Sequence, residues 1–187
     1  MPLLKRLPIF FAVFLGQIAL DQWTKQLATE HLKGRPAMTW LGDSVRLQYA
    51  TNEGAFLSLG AQLPPGARYW VLTIGVGALL LALAGYALFN VKVDRLQVGS
   101  YALIASGGFS NWVDRARFDG SVVDFMNLGF GSSAVRTGVF NVADIAILVG
   151  IGLLFVQSWQ LEKKQKAEAA AAAAAASTAG SKDAAQA

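Results

Sequence analysis

Tyr69 to Phe89 is an unbroken run of 21 residues without a charged side chain. A helix of that length is about 30 Å long, the thickness of a bilayer's hydrocarbon core. Three other segments read the same way less cleanly. Leu96 to Val113 is uncharged, shorter, and richer in Gly and Ser, while Val139 to Trp159 carries one charge, Asp144. The first segment starts near Leu7, is uncharged through Leu20, and continues through Asp21, Gln22, Lys25 and Gln26. The composition, 54% hydrophobic and 15% charged, sits well below the roughly 25% charged of soluble domains, and mean hydropathy is +0.42. The expected fold is an α-helical integral membrane protein with four transmembrane helices.

Lys5 and Arg6 before an apolar run resemble a signal peptide. However, Gln17-Ile18-Ala19 lacks the small first residue of a cleavage site, and the run passes directly into Asp21 and Lys25. A retained helix is expected. Lys5/Arg6, Lys92/Arg95 and Lys163/Lys164/Lys166 fall on one side of a four-span topology. Lys33, Arg35, Arg46, Arg68, Arg115, Arg117 and Arg136 fall on the other. The raw count does not decide orientation. Both termini are placed in the cytoplasm, with Arg115 assigned to an interior site and Arg46 to a longer folded loop. Within that loop, Thr39-Trp40-Leu41 and the alternating Val45-Arg46-Leu47-Gln48-Tyr49 predict a small β-sheet on the extracytoplasmic face. Residues 117–137 mix Gly, Ser and aromatics and predict a re-entrant or interfacial stretch. Residues 1–166 are read as the membrane domain, and 167–187 as an Ala-rich low-complexity tail.

Several functions are excluded. With no cysteine there is no disulfide, thiolate site or cysteine nucleophile. The single histidine, His31, cannot build a histidine metal site and reads as a loop or interface residue; no metal or cofactor is expected. No dense basic stripe exists beyond Lys163–Lys166, which argues against nucleic acid.

Ionisable groups within spans are costly and mark function. Asp21, Lys25, Asp114, Arg115 and Asp144 lie in or at the ends of spans. Asp21 and Lys25, at i and i+4, share a helix face and can neutralise each other. Asp124 lies in an apolar loop patch, Val122-Val123-Asp124-Phe125. Two carboxylates in one site cannot both ionise, so one keeps its proton, and the pair can activate water and polarise a carbonyl. Asp114, Asp124 and Asp144 are all candidates on the outer side, and spacing alone does not select two of them. Intramembrane Asp and Lys would equally suit a proton-coupled small transporter, although no internal repeat supports one. A non-catalytic scaffold would not need two acidic side chains.

Five boxes carry a resemblance. Asp21-Gln22-Trp23-Thr24-Lys25, Thr51-Asn52-Glu53-Gly54-Ala55-Phe56, Ser110-Asn111-Trp112-Val113-Asp114-Arg115, Val122-Val123-Asp124-Phe125 and Phe140-Asn141-Val142-Ala143-Asp144 resemble, in order, the motifs of the lipoprotein signal peptidases. These are membrane aspartic proteases that cleave diacylglyceryl-modified prolipoproteins before the lipidated cysteine. The resemblance implies a catalytic dyad of Asp124 and Asp144. It implies that Asn52, Asn111, Arg115 and Asn141 are pocket residues, with Asp114 in support and Asp21 and Lys25 structural or substrate-orienting. Gly54 is expected to lend backbone freedom and Phe56 an apolar wall. Val123, Phe125, Phe140 and Ile145 are expected to desolvate the dyad. The implied setting is a monomer in the bacterial cytoplasmic (inner) membrane, in contact with lipid, its active site near the extracytoplasmic face. Ser106 and Ser110 stand where the family usually has Gly; both are small, so close packing is expected to survive.

Overall fold

The computed structural model describes residues 2–54, 63–129 and 135–184. Helix α1 spans Leu3–Leu32 and is followed by strands β1 (Met38–Trp40) and β2 (Val45–Asn52). The next rod begins as α2 (Pro65–Tyr69), widens into a π-helical turn at Trp70–Gly75, and continues as α3 (Val76–Phe89). Helix α4 (Arg95–Arg117), strand β3 (Val122–Leu128) and helix α5 (Val142–Ala184) complete the order. The described residues from Gly152 onward form a second unit. There Lys166 pairs with Glu162 at 2.6 Å and Lys163 lies 3.9 Å above the Trp159 ring.

Three helical stretches among the described residues are long and apolar enough to cross a membrane: Leu3–Leu32, Trp70–Phe89 and Val142–Ala169. Their surfaces are inverted relative to a soluble protein, with Leu79 65% and Leu81 77% exposed. Apolar faces of that kind call for lipid as solvent. Helix α4 does not share their hydropathy, and its packing explains why. Val98, Ser100, Ala102, Ala105, Ser106, Gly107, Ser110 and Asn111 are all buried, so its face meets protein. Small residues there let backbones approach. A methyl group on Gly107 would lie 2.5 Å from the Ala143 carbonyl, and one on Gly150 would lie 2.7 Å from that of Ser100. Helices α4 and α5 thus cross at glycines.

The turn joining α3 to α4 is held by Arg6. Its side chain is 1% exposed and donates to the carbonyls of Leu88 (3.2 Å), Val93 (3.2 Å) and Asn90. A guanidinium at a helix C-terminus satisfies orphan carbonyls and complements the macrodipole. Asp94 then starts α4 with a capping box shared with Gln97.

The expected sheet is present and has three antiparallel strands in the order β1-β2-β3. The third strand sets aside the re-entrant alternative for residues 117–137: residues 122–128 pair along β2, with Ala50 opposite Asp124 and Asn52 opposite Val122. Strand β3 is buried on both faces from Val122 to Phe125, so it lacks the alternation that identified β2. The hairpin turn between β1 and β2 uses positive φ at Leu41, Gly42 and Asp43. Asp43 is anchored by Arg46 and, at 3.2 Å, by Arg136. The hydrogen bond from Arg46 holds the Asp43 carboxyl below the ordinary carboxylate value. His31 lies within the last turn of α1 rather than a loop, exposed, with Nδ1 3.0 Å from the Leu27 carbonyl.

Candidate active site

Phe140 fixes the site's backbone. Its N–H donates to the Met126 carbonyl and its carbonyl accepts from the Met126 N–H, both at 2.8 Å. The chain that returns after β3 is thereby laid against the strand, and Asn141 arrives beside Asp124. Asn141 is also the N-cap of α5. Its Oδ1 accepts the Asp144 N–H at 3.0 Å, and Asp144 Oδ2 accepts the Asn141 N–H at 3.2 Å. This is a reciprocal capping box with Asp in the third position. One asparagine therefore touches both predicted dyad residues, because its Nδ2 donates to Asp124 Oδ1 at 2.6 Å.

The other contacts converge on the same point. Asn52 lies diagonally across the β2–β3 pair from Asp124, on the same face, and its Nδ2 donates to Asp124 Oδ2 at 3.0 Å. Asn111 on α4 donates to Asp144 Oδ1 at 3.1 Å and accepts from Asn141 Nδ2 at 3.0 Å. Both aspartates are buried. Burial, with Asp144 adding to it, pushes the Asp124 carboxyl up to about 7 against the hydrogen bonds from Asn52 and Asn141. Of the apolar residues expected to exclude water, Val123 and Phe125 are buried; Ile145 is 40% exposed and points away. The correction follows from helix geometry: the residue after an inward Asp144 turns about 100° outward.

Asp114 is not part of this pair. It belongs to a second carboxylate cluster built around Lys25. The lysine's Nζ lies 2.8 Å from Asp21, 2.8 Å from Asp114 and 2.7 Å from Asn111 Oδ1. Three donors thus meet three acceptors. The predicted Asp21–Lys25 pair is present but is only one side of the arrangement. Asp21 also accepts from Ser110 Oγ at 2.7 Å and from the Ala143 N–H at 2.7 Å. A carboxylate on α1 therefore neutralises the N-terminus of α5. Asp114 accepts from Gln22 Nε2 at 2.8 Å and the Val123 N–H at 3.2 Å, which fixes the start of β3. Sequence reasoning gives Gln22 no role and reads Ser110 only as a small replacement for glycine. Gln22 sits inside the first motif, and Ser110 is the departure from glycine, here a donor to Asp21.

Arg115 Nη2 donates to the Gly54 carbonyl at 2.8 Å, and the Gly54 N–H donates to Asn52 Oδ1 at 2.9 Å. Arg115 Nε is buried without an acceptor among the described residues. Beside it opens a cavity of about 720 Å³ lined by Glu53, Leu72, Thr73, Trp112 and Arg115 among others. Phe56, expected as an apolar wall, lies outside the described residues. No cluster of His, Cys, Asp and Glu suited to a metal ion occurs among the described residues. Aspartates bridged by amides, as here, are an arrangement for acid–base chemistry.

The sequence profile of Signal peptidase (SPase) II matches residues 13–160. A lipoprotein signal peptidase of Halalkalibacterium halodurans is 34% identical over 159 residues, covering 84% of this chain and 96% of that one. Another, from Chlorobium phaeovibrioides, is 36% identical over 155 residues, covering 79% and 88%. A bacterial membrane enzyme solved by the in meso method at 2.3 Å superposes with a TM-score of 0.68 at 19% identity, over 81% of this chain and 87% of that one; the fold is shared. With the described residues of its five motifs gathered around two buried carboxylate clusters, and with the profile spanning most of its length, this chain belongs to the signal peptidase II family.

Proposed function

We propose that this protein is an aspartic endopeptidase that removes signal peptides from diacylglyceryl-modified prolipoproteins, cutting before the lipidated cysteine. The observation that carries the catalytic assignment is Asn141 held between Asp124 and Asp144. Family membership sets aside the transporter reading.

In the proposed mechanism Asp124 holds the proton and Asp144 acts as the base. A carboxyl raised to about 7 by burial keeps its proton in about half of the molecules at neutral pH, and in that form it can donate to the scissile carbonyl oxygen. Asp144, whose two oxygens accept N–H donors from Asn141 and Asn111, takes a proton from water as the water oxygen bonds to the carbonyl carbon. The tetrahedral intermediate collapses when that proton passes to the leaving cysteine nitrogen, the C–N bond breaks, and the other proton returns to Asp124. Asn52, Asn111 and Asn141 hold the carboxyls in place. Arg115, with its Nε unmatched, donates to a substrate carbonyl, and Gly54 sets the loop against it.

The setting follows from the substrate. Helix α4 serves as a fourth span beside the three apolar ones, with both termini in the cytoplasm and the sheet at the extracytoplasmic face of the cytoplasmic membrane. The substrate already resides in lipid and enters sideways; the protein works as a monomer without a cofactor. The test is cleavage of a lipidated precursor by purified protein beside Asp144→Asn. Release of signal peptide by the native chain and its loss in the variant supports the proposal; equal cleavage by both overturns it. A reporter fused after Lys166 should be active only in the cytoplasm, and periplasmic activity would reverse the topology.

A further inference from the structure

Trp112 lies within the third motif but takes no part in either carboxylate cluster. It faces the opposite helix. Its indole Nε1 donates to the Thr73 carbonyl at 2.9 Å, in the middle of the π-helical turn Trp70–Gly75. A π turn interrupts the regular ladder and is a recurrent feature of functional sites. One turn on, Gly77 accepts the ring closely: a methyl group there would lie 3.2 Å from Nε1. On its own helix, Trp112 stacks on Phe109 at 5.8 Å, and Phe109 in turn meets Phe14 of α1 at 5.6 Å. The indole is thus held from behind and aimed at the π turn.

The same residue borders the large cavity. Leu72 and Thr73 of the π turn form one wall, and Trp112 and Arg115 of α4 form another. Arg115 follows Trp112 by three residues, so the two are neighbours on α4. The indole–carbonyl bond is a polar link between these walls.

We propose that Trp112 is a specificity-determining positioning residue: by bonding the Thr73 carbonyl it fixes the π turn against α4 and so sets the width of the cavity beside Arg115, limiting the size of the side chains that flank the scissile bond. This inference rests on the proposed peptidase function. Trp112 acts through the wall it holds and not on the reacting atoms.

The test compares two diacylglyceryl-cysteine precursors, one with Ala and one with Leu immediately before the cysteine, cleaved by the full chain in lipid nanodiscs. The native chain should prefer Ala. Trp112→Phe keeps an aromatic ring and removes the donor, and Gly77→Ala sets a methyl group 3.2 Å from the indole Nε1, so that the ring must shift against its acceptor while Trp112 itself is kept. Each should reduce the Ala-over-Leu preference in kcat/KM about fivefold, the equivalent of one ordinary hydrogen bond, chiefly by lowering KM for the Leu precursor. An unchanged preference, or a fall in kcat common to both precursors, overturns the inference, as does loss of folded protein in both variants, which would mean plain packing. Cleavage of neither precursor by the native chain would remove the peptidase reading itself. Cleavage with an unaltered preference would remove only the role of Trp112.

Discussion

Asp21 and Asp114 are buried as deeply as Asp124 and Asp144, at 0% and 1% exposed against 1% and 6%, yet the two pairs are held by opposite means. The first pair shares a lysine, with Nζ 2.8 Å from each carboxylate. The second pair shares an asparagine and has no ion-pair partner among the described residues. A cation cancels charge. An amide gives direction without cancelling charge, so protonation stays adjustable. Burial alone therefore does not separate the two pairs; the partner does. The lysine cluster ties α1 to α4, to the start of β3 and to the N-terminus of α5. The asparagine cluster sits on the frame so made.

The sharpest way to break this comparison is to neutralise one carboxyl in each cluster. Asp124→Asn and Asp144→Asn should each lower turnover by about four orders of magnitude or more, the scale seen when a catalytic unit loses a member. Protein yield and precursor binding should remain. The double variant should be little worse than either single one, because groups acting as a unit are not additive. Rates measured under single-turnover conditions check this. Near-normal turnover in Asp124→Asn, together with its loss in folded Asp114→Asn, would exchange the roles of the two clusters.

The lysine cluster should respond in stability. Lys25→Ala leaves Asp21 and Asp114 facing each other's charge in a dry site, and breaking a buried pair in this way costs about 3–5 kcal/mol. Thermal unfolding in detergent should show a large loss, along with reduced yield. Ser110→Gly, which restores the usual family residue, removes one donor to Asp21. It should cost about 1 kcal/mol, as interhelical hydrogen bonds in membranes do. A stable Lys25→Ala variant that binds precursor normally but does not cleave it would put the lysine in the chemistry.

Much of this was legible in the chain. Long uncharged runs announce α1, α3 and α5 because a bilayer demands them, and Val45–Tyr49 alternates because β2 has two unlike faces. The i, i+4 spacing of Asp21 and Lys25 gave their contact. Three features stayed hidden for physical reasons. Strand β3 is buried on both sides, so Val122–Phe125 shows no period. The bond of Asp114 to Lys25 joins two helices 89 positions apart in sequence, and no local pattern encodes it. Arg6 read as a topological charge, and its burial against α3 carbonyls depends on where a distant turn ends. The choice of Asp124 over Asp114 came from motif resemblance, and the hydrogen bonds now supply a physical reason to favour it.

The mildest perturbation acts on the asparagines. Asn52 donates to Asp124 Oδ2, which stabilises the ionised carboxylate and opposes the effect of burial. Removing that donor in Asn52→Ala should move the Asp124 carboxyl further above about 7. If Asp124 must be protonated to polarise the carbonyl, kcat falls as pH rises through the apparent value of the pair, and this alkaline limb should shift upward in the variant. Stability follows the same sign. A carboxyl raised above its unfolded value of 3.8 binds its proton more tightly in the folded chain, so its contribution is fullest below 3.8 and declines until pH passes about 7. The lysine-held cluster has an amide donor too, but it bonds a carboxylate outside the dyad: Gln22→Ala, which removes a donor from Asp114, should leave the alkaline limb where it was. A downward shift in Asn52→Ala, or equal shifts in both variants, would mean that the limb does not report Asp124, and the division between a charge-cancelled and a direction-held pair would fail.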